Sequence, residues 1–484
     1  MGIETIIILM LASGFGFYMA WNIGANDVAN AMGTSVGSGA LTLKKAIIIA
    51  AVFEFTGALL VGSHVTQTVR KGMIDLELFK GMDDGVNILM YGMLASLLAA
   101  GTWLQIATYF GLPVSTTHSI VGAIVGFGFV AGGTAGVAWG KIGQIVMSWV
   151  ASPLLSGSIA FVVFSVIRRA IINVPYPVRA TKRWSPVFIF LVFGILTLVT
   201  LFKGLKNLKL DLNLIQALIF AGGIGLIASI IGGLLIRRVY VPSVKEGESD
   251  VSLTGMATDL RVVVRRIRRM RELATKEAEE HVKSIQENLD TLSKMVEQNE
   301  AEIYTREDFR FVEKVFAYLQ ILSACFVAFA HGANDVANSI GPLAAVVSLA
   351  KGGTEALTAK TPVPIWILGL GGIGILIGLS MWGWRVMETV GKKITELTPS
   401  RGFSAEFATA TTIVLASRLG IPVSTTHTLV GAVIGVGMAR GIESLNPRVI
   451  RDIATSWVVT LPAGAGISII FFYIFKAIFA SFGG

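Results

Sequence analysis

Long runs of apolar residues alternate with short polar segments along most of the chain. The runs cover residues 6–21, 46–62, 88–110, 142–167, 186–202, 214–236, 364–384 and 453–479. Several are longer than the roughly 18–20 apolar residues that an α-helix needs to cross a hydrocarbon core about 30 Å thick. The pattern predicts an all-α integral membrane protein with about ten to twelve spans or part-spans.

The composition supports a membrane protein and excludes an ordinary soluble domain. Of the 484 residues, 53% are hydrophobic and 15% are charged, and the mean hydropathy is +0.71. The first apolar run has no basic segment before it and no cleavage site after it, so we interpret it as a retained span and not as a signal peptide. Cys325 is the only cysteine, which excludes a disulfide within the chain and argues against a cysteine metal site.

One segment, residues 241–313, is polar and charged. Six arginines lie between Arg261 and Arg271, and apolar residues recur from Ile285 to Val296 at the spacing of an amphipathic helix. We predict a two-helix cytoplasmic insert, because Arg and Lys near membrane spans collect on the cytoplasmic side. This topology, and not nucleic-acid binding, accounts for the net charge of +9. The arginine run is either a solvated helix face or a site for lipid or a partner.

The chain contains an internal repeat. The sequence GANDVAN occurs at residues 24–30 and again at 332–338, an offset of 308. The sequence PVSTTH occurs at residues 113–118 and again at 422–427, an offset of 309. Two blocks repeated in the same order indicate two copies of one structural unit.

The repeat divides the chain into four parts. A weaker pair, VTQTV from Val65 and VMETV from Val386, is offset by 321, which loops of different length explain. The first copy ends and the second begins on the predicted cytoplasmic side, so we expect the copies to be inverted, as in many secondary transporters. The parts are an N-terminal repeat (1–170), linking helices (171–240), the charged insert (241–313) and a C-terminal repeat (314–484).

PVSTTH has the pattern of a helix break followed by a new helix start. Pro113 and Pro422 interrupt apolar stretches, and the Ser and Thr that follow are favoured N-cap residues. The first N–H groups of a helix have no intrahelical partner and carry partial positive charge, so they bind anions together with nearby hydroxyls. Two such starts would form a neutral cage for a tetrahedral oxyanion; the alternative is a Ser/Thr-rich kink. The candidate residues are Ser115, Thr116, Thr117, Ser424, Thr425 and Thr426.

Acidic residues in apolar surroundings are candidate cation ligands. Asp27 and Asp335 lie in GANDVAN, and a charge at membrane depth costs about 2.5–3.5 kcal/mol, so such residues usually mark ion pathways. An Asp beside an Asn in a helix broken at Gly would offer hard oxygen ligands for Na⁺ or a proton site; the alternative is an interhelical hydrogen-bond cluster. Glu54 and Glu406 are not related by the repeat, and either bind or gate cations or pack against a partner.

Two histidines, His118 and His427, follow the Ser-Thr-Thr triplets. They could orient the hydroxyls or take part in proton coupling. Ser115 lies one turn from His118, and no oxyanion-hole motif accompanies the pair, so we do not predict an enzyme.

Paired GANDVAN and PVSTTH blocks in two halves, separated by a hydrophilic loop, resemble the inorganic phosphate transporter (PiT) family. The resemblance implies inward phosphate transport, inverted repeats, and about twelve transmembrane helices that include broken or re-entrant hairpins. GANDVAN is similar to the Na⁺-coupled branch, whereas the proton-coupled branch tends to carry GFHDTANA. Eukaryotic members carry a further Glu before the first Ser/Thr block, and residues 88–103 contain no acid here.

The resemblance also implies roles for the residues in these blocks. Asn26 and Asn334 would donate amide N–H groups to phosphate beside the Ser and Thr hydroxyls of both PVSTTH blocks. Asp27 and Asp335 would hold the metal cation, Na⁺, next to the anion.

Together these features predict a secondary symporter that imports phosphate with Na⁺ by alternating access, one repeat rocking against the other. We expect a multi-pass protein of the plasma or inner membrane without a cofactor or nucleic-acid partner. A proton-coupled phosphate or sulfate symporter and a passive anion channel are the alternatives. The sequence leaves open the stoichiometry, the role of the insert and the oligomeric state, for which a homodimer is one alternative.

Overall fold

A computed structural model describes residues 2–61, 73–82, 84–199, 201, 213–238, 263, 280, 282–289, 291–292, 306–358, 363–418, 423–441 and 444–480. Within these ranges the regular structure is helical apart from one isolated β-bridge between Ile74 and Val137. The predicted all-α fold class is confirmed. The VTQTV segment from Val65 and Pro422 of the second PVSTTH lie outside the described residues.

Fourteen α-helices are labelled here in chain order. They are α1 (Ile3–Gly37), α2 (Leu43–Val61), α3 (Leu76–Lys80), α4 (Gly85–Tyr109), α5 (Thr116–Gly132), α6 (Trp139–Ile167), α7 (Pro177–Val199), α8 (Leu214–Arg238), α9 (Arg306–Thr358), α10 (Ile365–Met381), α11 (Trp384–Glu388), α12 (Pro399–Arg418), α13 (Thr425–Arg440) and α14 (Pro447–Ala480).

Eight helices of the described chain are long and apolar enough to cross a membrane. A ninth span is formed if α10 is joined to the segment Trp384–Lys393, across a bend of 58°. The predicted multi-span architecture is therefore present, while the count of about twelve is not reached by length and apolarity alone. The shorter helices α5 and α13 begin at the buried residues Thr116 and Thr425, within the two PVSTTH blocks, where new helix starts are predicted.

Two equivalent helix crossings bring the GANDVAN helices against neighbouring backbone. A Cβ atom added at Gly24 of α1 would collide with the Ile375 carbonyl group of α10, and one added at Gly332 of α9 would collide with the Glu54 carbonyl group of α2. Since Gly24 and Gly332 are equivalent in the repeat, Ile375 and Glu54 are equivalent too. Their offset, 375 − 54 = 321, is the same as that of the weaker sequence pair.

A second pair of crossings involves the helices that follow PVSTTH. Gly122 of α5 lies against the Leu461 backbone of α14, and Gly431 of α13 lies against the Pro153 backbone of α6. A side chain at either glycine would force the helix axes apart, because the neighbouring backbone cannot move aside as a flexible side chain can. These glycines therefore allow α5 and α13 to pack directly against the backbones of α14 and α6.

The two sequence repeats are interlocked by these contacts. In every crossing, a helix of residues 1–170 packs on a helix of residues 314–484: α1 on α10, α2 on α9, α5 on α14 and α6 on α13. Residues 1–166, 187–230 and 316–484 accordingly form one compact unit that contains both repeats. The repeats share their cores and are not separate folding units.

The second compact unit comprises residues 167–186 and 231–315. Within it, the ammonium group of Lys182 lies 5.7 Å from the centre of the Phe311 ring. Residues 282–289 are helical and Ile285 is exposed, which agrees with a helix in the insert. The arginine run from 261 to 271, apart from Val263, lies outside the described residues, so the two-helix insert stays a prediction.

Adding a methyl group at Gly126 is expected to destabilise the protein. A Cβ atom there would lie 2.6 Å from Cα of Ala465, and overpacking of this kind costs about 1–3 kcal/mol. The matched control is Gly140→Ala on α6, where a Cβ meets nothing within 4 Å. In detergent, Gly126→Ala should lower the temperature at which the monodisperse size-exclusion peak is lost, and Gly140→Ala should not. If Gly126→Ala and the parent protein lose the peak at the same temperature, the helices can move apart at this position without loss of stability.

Candidate functional site

The two GANDVAN blocks lie on long continuous helices. Residues 24–30 are helical within α1, and residues 332–338 are helical within α9, with non-helical φ/ψ in α9 only at Gly352 and Gly353. The expectation of a helix broken at the GANDVAN glycine, with freed carbonyl groups, is therefore wrong. The glycine serves the close crossing of helices instead, and the polar side chains must supply any ligand atoms themselves.

The two PVSTTH blocks form the expected helix starts. Helix α5 begins at Thr116 with Ser115 as its N-cap, and the Ser115 Oγ accepts the backbone N–H of His118 at 3.2 Å. Helix α13 begins at Thr425 in the same way, and the Ser424 Oγ accepts the N–H of His427 at 3.2 Å. Both serine oxygens are thus engaged as caps, while the threonines stand at the first two helical positions.

The carboxylates of GANDVAN meet the threonines of these helix starts. Thr116 Oγ1 donates to Asp27 Oδ2 at 2.7 Å, and Thr425 Oγ1 donates to Asp335 Oδ2 at 3.0 Å. Thr426 Oγ1 also lies 3.3 Å from Asp27 Oδ1. All five side chains are buried, and both aspartates have no exposed surface. The structure therefore brings together the predicted cation ligands and the predicted anion donors.

Two asparagines that the sequence did not single out connect the repeats. Asn30 Nδ2 donates to Thr426 Oγ1 and to Asp27 Oδ1, both at 2.9 Å. Its counterpart Asn338 donates from Nδ2 to Thr116 Oγ1 at 3.2 Å and to Thr117 Oγ1 at 3.3 Å. Each amide reaches the helix start of the other repeat. The sequence does contain a sign of this role: the last Asn of GANDVAN lies three residues after the Asp, so in a helix both side chains lie on the same face.

The asparagines that were singled out take other partners. Asn26 Nδ2 donates to Thr108 Oγ1 at 2.9 Å and to the Leu112 carbonyl at 3.1 Å, and Asn26 Oδ1 accepts the Val114 N–H at 3.2 Å. Asn26 therefore fixes the loop that leads into α5. Asn334 Nδ2 donates to Asp335 Oδ1 at 2.8 Å.

His331 is a further member of the site that the sequence did not single out. Its Nε2 lies 2.8 Å from Asp335 Oδ2 and 3.5 Å from Asp27 Oδ2. Its Nδ1 lies 3.3 Å from Glu54 Oε1. The ligand atoms of Asp27, His331 and Asp335 all lie within 4.8 Å of one another. We define the central cluster as Asp27, Asn30, Thr116, Thr117, His331, Asp335, Asn338, Thr425 and Thr426.

Glu406 lies in a separate polar nest. Its Oε1 accepts from Thr34 Oγ1 at 2.6 Å, from Ser35 Oγ at 2.7 Å and from Gln320 Nε2 at 3.1 Å, and its Oε2 accepts from Ser323 Oγ at 2.6 Å. Four donors on one buried carboxylate replace the hydration that it loses. None of these contacts joins Glu406 to Asp27 or Asp335, whereas Glu54 approaches the central cluster through His331.

The two histidines of PVSTTH contact each other and a tryptophan of their own repeat. The ring centres of His118 and Trp149 are 3.5 Å apart, those of His427 and Trp457 are 3.6 Å apart, and the two histidine rings are 4.3 Å apart. This arrangement follows the repeat symmetry and brings the histidines after the two helix starts into contact; that they orient the hydroxyls stays a prediction.

The central cluster combines neutral donors with carboxylates. In the described part of the chain, the side chains bonded to it include no lysine or arginine. Hydroxyl, amide and helix N-terminal N–H groups can bind an oxyanion, and carboxylate oxygens suit a hard cation. The donors and the carboxylates are bonded to each other, so the arrangement can take up an anion and cations together.

Known proteins share this chain's sequence and fold. The profile described as "Phosphate transporter family" matches residues 23–468. The Arabidopsis thaliana "Inorganic phosphate transporter 2-1, chloroplastic" is 43% identical over 470 residues, which are 96% of this chain and 71% of that protein. A Haemophilus influenzae "Putative phosphate permease" is 43% identical over 472 residues, covering 98% and 97%. A solved structure described as "The sodium-dependent phosphate transporter" superposes with a TM-score of 0.77 at 39% identity, covering 98% of this chain and 100% of that one.

Proposed function

The chain belongs to the phosphate transporter family, whose members are transporters and not enzymes, and on that premise we propose that it imports phosphate together with Na⁺. One observation carries the proposal: the hydroxyls that would bind phosphate donate to the carboxylates that would bind Na⁺. Phosphate would lie among the Thr and Asn side chains of the central cluster. Na⁺ would lie at Asp27 and Asp335.

This bonding pattern couples the two ions. Without a cation, Asp27 and Asp335 repel an anion and occupy the Thr116 and Thr425 hydroxyls. Na⁺ at a carboxylate neutralises it and competes for the same oxygen, so the hydroxyl becomes free to donate to phosphate. Each ion then increases the affinity of the other by the same factor, as linkage requires.

Na⁺ also supplies the driving force. Phosphate carries between one and two negative charges near neutral pH, and a negative-inside potential opposes its entry by about 2.3 kcal/mol per charge per 100 mV. Two Na⁺ per phosphate cancel or reverse this opposition. Two aspartates on equivalent positions match that number.

Any alternating-access motion has to preserve the close backbone contacts between the two repeats. Rocking one whole repeat against the other would pull apart the backbone contacts at Gly24, Gly122, Gly332 and Gly431. We therefore propose that the moving bodies are mixed, each with helices from both repeats. The α1–α10 and α9–α2 pairs would form one body, and the α5–α14 and α13–α6 pairs the other, with the central cluster between them.

Uptake of labelled phosphate into proteoliposomes tests the proposed function. An inward Na⁺ gradient should drive saturable accumulation, and K⁺ in place of Na⁺ should reduce it by about tenfold or more. Sulfate at equal concentration tests the choice of anion, and a proton gradient without Na⁺ tests proton coupling. Equal accumulation in K⁺ driven by the pH gradient would reject Na⁺ coupling, and cation-independent equilibration without accumulation would indicate an anion channel.

We place this multi-pass protein in the plasma or inner membrane, which is where import from the surroundings requires it. Localisation of the tagged full-length chain by membrane fractionation checks this placement.

A further inference from the structure

The polar contact of His331 breaks the symmetry of the site. His331 corresponds to Ile23, since 331 − 23 = 308, the offset of the GANDVAN blocks. Its neighbour Glu54 corresponds to Ile375, because the equivalent glycines of α9 and α1 lie against these two residues. One crossing therefore carries a histidine and a glutamate where the other carries two isoleucines. All four side chains are buried or nearly so.

The helix crossing does not itself require this polar pair. The α1–α10 crossing has the same close glycine contact with Ile23 and Ile375 at these positions. A buried His–Glu pair gives the fold no more stability than an apolar pair in the same place, because both polar groups lose their hydration. A role at the adjacent carboxylates explains its presence better than packing does.

The imidazole ring of His331 lies closer to Asp335 than to Asp27. Its Nε2 lies 2.8 Å from Asp335 Oδ2 but 3.5 Å from Asp27 Oδ2. Each aspartate also accepts from one threonine of its own repeat and from one asparagine of its own helix, and Asp27 has a further contact with Thr426 Oγ1 at 3.3 Å. The ligand sets therefore differ in two contacts, and the 2.8 Å contact of the histidine with Asp335 is shorter than the 3.3 Å contact of Thr426 with Asp27.

We propose that His331, held in place by Glu54, makes the two cation sites unequal, so that Na⁺ binds first and more tightly at Asp27. A cation at Asp335 must displace the Nε2 contact, whereas a cation at Asp27 gives up a longer and weaker one. Glu54 is then a positioning residue that keeps the ring on Asp335, and not a cation ligand. This inference rests on the proposed Na⁺ sites, and it adds an order of loading that a fully symmetric site lacks.

Na⁺ binding to the purified full-length protein, measured by equilibrium dialysis with isotope-labelled sodium, tests the inequality. Asp335→Asn leaves the Asp27 site and Asp27→Asn leaves the Asp335 site. We expect the dissociation constant of the first variant to be about tenfold lower, a ratio on the order of one close polar contact with a charged group. In a background of His331→Ile with Glu54→Ile, which copies the other crossing, the two constants should agree within about twofold.

Replacing Glu54 alone tests whether this residue positions the His331 ring or only fills space at the helix crossing. Glu54→Gln keeps a polar oxygen beside Nδ1 of His331, so it should preserve most of the difference, and Glu54→Leu should reduce it. Equal constants in the parent background, or an unchanged tenfold ratio in the double-isoleucine background, would overturn the proposal. If the unaltered protein binds no Na⁺, the sodium coupling fails as well, whereas equal constants refute only the unequal sites.

Discussion

Replacing Asp27 or Asp335 by Asn is expected to abolish Na⁺-driven phosphate uptake while leaving the protein folded. Each substitution keeps the shape of a fully buried side chain and removes the charge that would hold the cation. The lost coupling should lower Na⁺-dependent uptake by about 10–100-fold, the range typical of coupling between sites. Labelled phosphate uptake into proteoliposomes at fixed Na⁺ measures the effect.

The exposed Asp84, which precedes the first residue of α4, provides the control. Asp84 accepts from Asn87 at 2.8 Å and lies outside the central cluster, so Asp84→Asn should transport normally. Full Na⁺-dependent uptake by either Asp27→Asn or Asp335→Asn would show that the carboxylate at that position serves the packing of the helices and not the cation.

Replacing Thr117 and Thr426 together by Val should weaken phosphate binding most among the substitutions at the helix starts. Valine has nearly the same shape, and the change removes one hydroxyl donor from each of two equivalent positions, 117 and 426. A hydrogen bond to a charged group is worth about 1.5–3 kcal/mol, or roughly tenfold or more in affinity, per donor. The apparent KM for phosphate should rise about a hundredfold or more, as measured from initial uptake rates.

Thr197→Val is the control for this change. Thr197 is also buried, but its hydroxyl donates to the Phe193 carbonyl of its own helix at 2.8 Å. An unchanged KM in the double variant, with Thr197→Val also unchanged, would move the phosphate site away from the helix starts. A loss of Vmax without a change in KM would assign the hydroxyls to the transport step instead.

The parts of the site that repeat in the sequence were the most predictable. Two copies of GANDVAN and PVSTTH placed Asp27, Asp335 and the threonines correctly in one cluster, because an internal repeat with two polar blocks has few ways to bury them. The helix starts followed from Pro113 and the Ser caps, whose local chemistry determines their structure. The offset of 321 likewise matched the Glu54–Ile375 correspondence.

The features that were not predicted from the sequence depend on contacts between the two repeats. Asn30 and Asn338, whose amides reach the helix start of the other repeat, were not among the predicted residues, because a motif does not reveal which of its amides faces the other repeat. His331 lies four residues before Asp335 on α9, a spacing visible in the sequence, but its contacts with Glu54 and Asp27 form only where helices cross. The continuous helices through Gly24 and Gly332 were misjudged, since a glycine that permits close packing looks the same in sequence as one that breaks a helix.

The interlocked glycine crossings bear on how a chain with two copies of one unit could have arisen. A single copy would present Gly24 or Gly122 on a helix face whose partner lies in the other copy. Such a polypeptide would bury these faces only by pairing with a second molecule, so the contacts that join the two repeats here would hold two half-length chains together as a dimer. In one continuous chain the two copies need not be identical, and a histidine and a glutamate stand at one crossing while two isoleucines stand at the other.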